Sequence, residues 1–103
     1  MSDLYRVSYS GLVKDQIREV FLRGEHEGVS NLTAKAARWF WEELQRTPHE
    51  FGESRGLLKH AELAVRIVIV RPLVAEFAVH ESTKTVFISK VDWIDPKFET
   101  GDV

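Results

Sequence analysis

The chain has no cysteine among its 103 residues, so disulfides and thiolate metal sites are excluded. It has no run of apolar residues long enough for a membrane span and no apolar N-terminal stretch of the signal-peptide kind, so the expectation is a cytoplasmic protein with no membrane partner. Charge of one sign is also lacking. A formal net charge of −2 sets up no overall field that would draw in nucleic acid. There is no phosphate loop, no nucleophile motif, no internal repeat and no low-complexity tract. The four histidines, His26, His49, His60 and His80, show no metal-ligand spacing, and no cofactor or metal is expected.

What the chain does have is a dense β-rich stretch. Leu63–Val70, Leu73–His80 and Thr85–Trp93 are dominated by Val, Ile, Phe and Thr, and are broken only at Arg71-Pro72 and at Glu81–Lys84. Short breaks between such runs predict hairpins, hence an antiparallel meander. A two-residue loop at Arg71-Pro72 would put proline third in a tight turn, where it is disfavoured unless its bond is cis. Moving Leu73 into the loop gives a cleaner separation of polar from apolar side chains, and that separation normally fixes register. The expectation is therefore a core face of Val65, Ile67, Ile69, Ala75, Phe77 and Val79. The open face would carry Arg66, Val68, Val70, Val74, Glu76, Ala78 and His80, with Arg66 paired to Glu76 across the hairpin.

Ahead of the meander, Leu4–Tyr9 alternates as a first strand. Ser8 or Ser10 can cap a helix from Gly11 to about Arg23, in which Val13, Ile17, Val20 and Gly24 share a face. A stop at Gly24–Gly28 leads to a second helix, capped by Ser30 or Asn31 and running to about Arg46, with Leu32, Ala36, Trp39, Phe40 and Leu44 as its buried stripe. Successive helical residues turn by about 100°, so Trp41 points away from Ala36 and Phe40. It either packs on a neighbouring loop or serves as a partner contact, since tryptophan is enriched in binding hot spots. Thr47-Pro48 ends the helix. His49–Gly56 reads as a polar loop, Leu57–His60 as a short extended lead into the sheet, and 95–103 as a frayed tail.

The result is one domain over residues 1–103, with a core of about 4–94 and the order β-α-α-β-β-β. It is a two-layer α+β fold with a helical hairpin on one face of an antiparallel sheet.

In order, size and compact ending, the chain resembles the RelE/ParE toxin superfamily over roughly Tyr5 to Ile94. Locally it is most similar to the YoeB-like branch, through Arg46-Thr47-Pro48-His49-Glu50, Leu58-Lys59-His60 and Phe77-Ala78-Val79. The resemblance implies a toxin of a type II toxin–antitoxin pair, neutralised by a small antitoxin. The target would be mRNA on the ribosome in the RelE and YoeB branches, or DNA gyrase in the ParE branch. The catalytic positions largely depart from the pattern. Gly56 stands where the YoeB-like branch has a glutamate, Val74 where it has an arginine, and Asp92 and Trp93 where it ends on His-Tyr. Arg66 and Val68 stand where the RelE branch has two lysines.

Cleavage of RNA by a 2′-hydroxyl needs a base, an acid and positive charge for the phosphorane, and valine supplies none of these. Lys59, His60, Arg66 and His80, with Glu76, are the residues from which a rearranged catalytic set could be assembled. For a protein that acts by binding, Val68, Val70, Val74, Arg66 and Trp41 are the candidate partner contacts, with an antitoxin segment along the open face. Three readings follow from the sequence. They are a toxin or toxin-like binder, an mRNA endoribonuclease with a rearranged site, and a non-toxic interaction module. Oligomeric state is not encoded in any pattern here.

Overall fold

The computed structural model describes residues 4–96. Residues 97–103, most of the expected tail, lie outside the described part. The architecture is two-layer α+β, with two helices on one face of a five-stranded sheet. In chain order the elements are β1 (Arg6–Tyr9), α1 (Gly11–His26), α2 (Ser30–Arg46), a single 3₁₀ turn (Pro48–Glu50), β2 (Glu53–Leu58), β3 (Leu63–Val70), β4 (Leu73–His80) and β5 (Thr85–Trp93).

The three strands of the meander begin and end at the positions expected from their β-branched runs. Two features correct the expectation. The polar loop at His49–Gly56 contains most of the 3₁₀ turn and most of an additional edge strand, β2, paired antiparallel to β3. The sheet is mixed rather than antiparallel, in the order β1-β5-β4-β3-β2, because β1 runs parallel to β5.

Ser10 caps α1, its Oγ accepting from the Val13 amide at 3.2 Å. Val13, Val20 and Gly24 are buried, and Ile17 packs against the core. The helix passes through Gly24 and ends at His26. Gly24 is needed there for close approach, because a Cβ would overlap the Thr33 side chain of α2. Neither Ser30 nor Asn31 caps α2. Val29 holds that position without a side-chain bond, and Thr33 takes up the Val29 carbonyl through both its amide, at 2.9 Å, and its hydroxyl, at 2.8 Å. The buried stripe of α2 is Thr33, Ala36, Phe40 and Leu44. Leu32 and Trp39, expected inside, stay largely exposed.

The register of the β3–β4 hairpin is the alternative that sequence reasoning disfavours. Val70 pairs with Leu73 across a two-residue turn at Arg71-Pro72, and that peptide bond is cis, the condition under which proline fits the third turn position. Val68 pairs with Ala75 and Arg66 with Phe77. Phe77 is fully buried and meets Phe40 of α2, with ring centroids 6.5 Å apart, so this is the helix-covered face. Ala75, Phe77 and Val79 are inside as expected. On β3 the faces are exchanged, with Arg66, Val68 and Val70 beneath the helices and Val65, Ile67 and Ile69 outside. Phe40, Phe51 and Phe77 form the aromatic centre of the core, with Trp39 edge-on against Phe51. Full burial of a side chain the size of Phe77 contributes about 1.5–3 kcal/mol.

Candidate functional site: the open sheet face

The face turned away from the helices is built from alternate residues of every strand. β3 supplies Val65, Ile67 and Ile69, and β4 supplies Val74 and Ala78 opposite them. β5 adds Phe87 opposite Ala78, and β2 adds Leu58 opposite Leu63. Ile69 is 54% exposed, Leu58 54% and Phe87 43%. A bulge on β5 at Ser89 restores the alternation, so that Lys90 faces Glu76 and Asp92 faces Val74 at one side of the patch. These charged residues, with Ile67, Val74 and Ala75, line a shallow hollow of about 90 Å³. Branched apolar side chains on adjacent strands thus form one surface, with charges of both signs on β4 and β5.

The candidate catalytic residues do not come together. Arg66 is on the opposite face from Glu76 and His80, so the expected Arg66–Glu76 pair does not form. Its guanidinium instead holds the chain after the 3₁₀ turn. Nε donates to the Phe51 carbonyl and Nη2 to the Gly52 carbonyl, each at 2.8 Å. Lys59 and His60 are exposed in the β2–β3 turn. His80 ends β4 at the same end of the sheet, where Nδ1 is 2.7 Å from the Thr83 hydroxyl.

The candidate partner contacts are also redistributed. Val68 is buried and Val70 packs against the core, so neither lies on the open face; of the three valines only Val74 does. Trp41 is half-buried and edge-to-face with Tyr9, with centroids 5.9 Å apart and planes at 80°.

One polar cluster carries no sequence signal beyond the turn residues Glu81–Lys84. The buried Tyr5 donates its hydroxyl to the Glu81 carboxylate, with oxygen–oxygen distances of 2.8 and 2.7 Å. Lys84 Nζ lies 3.3 Å from the same carboxylate and 4.8 Å from the centroid of the Tyr5 ring. Burial and the Glu81 bond raise the Tyr5 pKa; the Tyr5 bond lowers that of Glu81; the Glu81 bond raises that of Lys84. The groups are therefore fixed in their ordinary charge states at neutral pH. The arrangement fastens β1 to the β4–β5 turn and is poorly suited to proton transfer, which works best with a pKa near the working pH.

Among the described residues, no group of three or more His, Cys, Asp or Glu is placed to hold a metal ion. No helix there is long and apolar enough to cross a membrane. No family model matches the chain, and neither a curated protein nor a solved structure matches it.

Proposed function

We propose that this chain is a cytoplasmic toxin or toxin-like component of a type II toxin–antitoxin pair, bound and neutralised by a small antitoxin and acting by binding rather than by cutting RNA. The observation that carries the binding reading is the character of the open sheet face. Val65, Ile67, Ile69, Val74, Ala78 and Phe87 make it an apolar surface suited to burial under another chain, and contiguous apolar patches of this kind mark contact sites. Of its cations, Lys90 stands beside Glu76 and Asp92, and Arg6 lies on β1, opposite Thr85. The toxin identity rests on the sequence resemblance to the RelE/ParE superfamily and on the β-α-α-β-β-β order within the observed element string.

The endoribonuclease alternative requires a base, an acid and a phosphorane-stabilising cation within reach of one phosphate. Arg66 is committed to two backbone carbonyls on the helix side of the sheet, while His80 lies on the other side. Arg66 thus shares no site with His80.

The test is expression of the chain with and without the product of the adjacent gene, paired with mapping of mRNA ends on translating ribosomes. Growth arrest relieved by the adjacent product, with no codon-positioned cleavage, is the expected outcome. Robust cleavage would replace the binding reading with the enzymatic one. Absence of both arrest and a complex would remove the toxin–antitoxin reading altogether.

A further inference from the structure

A second apolar surface lies on the helix layer. Leu32, Ala36 and Trp39 occupy positions i, i+4 and i+7 of α2, which is one helical face. With Lys35 from the helix, and Val70 and Arg71 from the β3–β4 turn, they line a groove of about 380 Å³. Leu32 is 42% exposed and Trp39 49%. Trp39 is nevertheless held in place, standing edge-on to Phe51 with ring centroids 5.3 Å apart, and Phe51 in turn packs on Phe40 and Phe77. An aromatic anchor already fixed by the core loses little freedom on binding.

The charged side chains that line the groove are cationic. Lys35 and Arg71 line it, and Arg38 joins Lys35 in an adjoining hollow of about 490 Å³ along the same helix. Among the described residues, no carboxylate lines either hollow, although the chain as a whole has a formal net charge of −2.

We infer that this groove receives an acidic amphipathic helix from a partner protein. Leu32 to Trp39 spans about 10 Å at the helical rise of about 1.5 Å per residue, enough for roughly two turns of a docked helix. Apolar residues of that helix at i, i+3 or i+4 and i+7 would fill the groove over Leu32, Ala36 and Trp39. Asp and Glu beside its stripe would face Lys35 and Arg38, which favours acidic over basic partners and speeds encounter. A single-stranded nucleic acid would also find cations and one ring, but the remaining floor of Leu32, Ala36 and Val70 offers no second stacking platform. The inference does not depend on the function proposed for the sheet face.

The test uses the full chain, isotope-labelled, titrated with three probes. These are a stapled helical peptide with a Leu stripe flanked by Glu, the same peptide flanked by Lys, and an oligo-dT. The Glu peptide is expected to give saturable shift changes centred on Leu32, Lys35, the Trp39 indole and Val70, with at least about tenfold tighter binding than the Lys peptide. The double substitution Lys35→Glu with Arg38→Glu, both on an exposed helix face, is expected to invert that preference. Trp39→Ala is expected to weaken binding about tenfold or more, as truncation of a hot-spot aromatic does. Trp39→Phe keeps a ring against Phe51, so it separates lost binding from lost folding. Equal affinity for the two peptides, shifts centred elsewhere, no saturation, or stronger binding of oligo-dT at the groove would each overturn the inference.

Discussion

Arg66 forks onto two consecutive backbone carbonyls, donating from Nε to Phe51 and from Nη2 to Gly52 at 2.8 Å each. The bend it holds sits directly against the sheet. Gly52 has φ +77°, and a Cβ there would meet the Ile67 carbonyl and come within 2.9 Å of Val68 Cβ. Hydrogen bonds from a charged donor contribute about 1.5–3 kcal/mol each, and solvent at the Gly52 bond reduces its share. Arg66→Met should therefore cost about 2 kcal/mol, read as a lower urea midpoint at unchanged slope. Arg66→Lys should recover less than half of this, because an ammonium cannot reproduce the planar fork. Wild-type stability in Arg66→Met would mean that the bend is held by packing alone.

The exchange of faces on β3 makes adjacent residues behave oppositely. Val68→Ser places a hydroxyl beneath the helices and should destabilise the fold by about 1–3 kcal/mol. Ile69→Ser and Val74→Ser alter the open face and should leave the melting temperature within a few degrees of wild type. If the antitoxin covers this face, the latter pair should weaken its binding by about tenfold per residue, since burial of such side chains is worth about 1.5 kcal/mol or more. Calorimetric titration with the adjacent gene's product checks this. Unchanged affinity in folded double variants would exclude the open face as its seat.

Gly24 should not tolerate alanine. In a helix interior that change normally gains about 1 kcal/mol. Here the new Cβ would stand 3.0 Å from Thr33 Cβ and overlap its hydroxyl, so overpacking should give a net loss of about 1–3 kcal/mol. Thr33→Ala should cost stability in the wild-type background, where the hydroxyl donates to the Val29 carbonyl, and cost less in Gly24→Ala, where it relieves the overlap. A double-mutant cycle on denaturation midpoints measures that coupling, and additive effects would contradict it.

The Tyr5–Glu81–Lys84 cluster predicts the pH range over which β1 stays fastened. The Glu81 pKa is lowered in the fold, so its contribution is present above the ordinary carboxylate value of 4.5 and is lost as pH falls through the lowered one. The Tyr5 and Lys84 values are raised, so their contributions are full below the ordinary values of 10.0 and 10.5 and disappear as pH rises through the raised ones. Stability from this cluster should be level between those limits. Tyr5→Phe should shrink both limbs, leaving the part that comes from the Glu81–Lys84 bond, while keeping the ring in the core. Denaturation midpoints of the two proteins from pH 3 to pH 11 would show it, and parallel profiles would rule the cluster out as the source.

Local preferences in the sequence determined the elements with strong patterns. The ends of β3, β4 and β5 follow from β-branched runs between turn residues, α1 from its period and Ser10 cap, and the two-layer class from their order. β2 was not legible, because Glu53–Leu58 is exposed throughout and is a strand only by pairing with β3. Register was decided by tertiary contact. Segregation of polar from apolar side chains excludes Arg66 from the core face only if its charge has no partner there. The partners are backbone carbonyls 14 and 15 residues earlier in the chain, which no side-chain pattern records. The cis bond before Pro72 accompanies the same register. The sequence therefore determined that one sheet face would be open, while of the valines expected to make it apolar only Val74 lies there. Which β3 residues line it was decided by tertiary contacts, among them the Arg66 bonds to the Phe51 and Gly52 carbonyls, because a strand shows opposite faces at alternate residues.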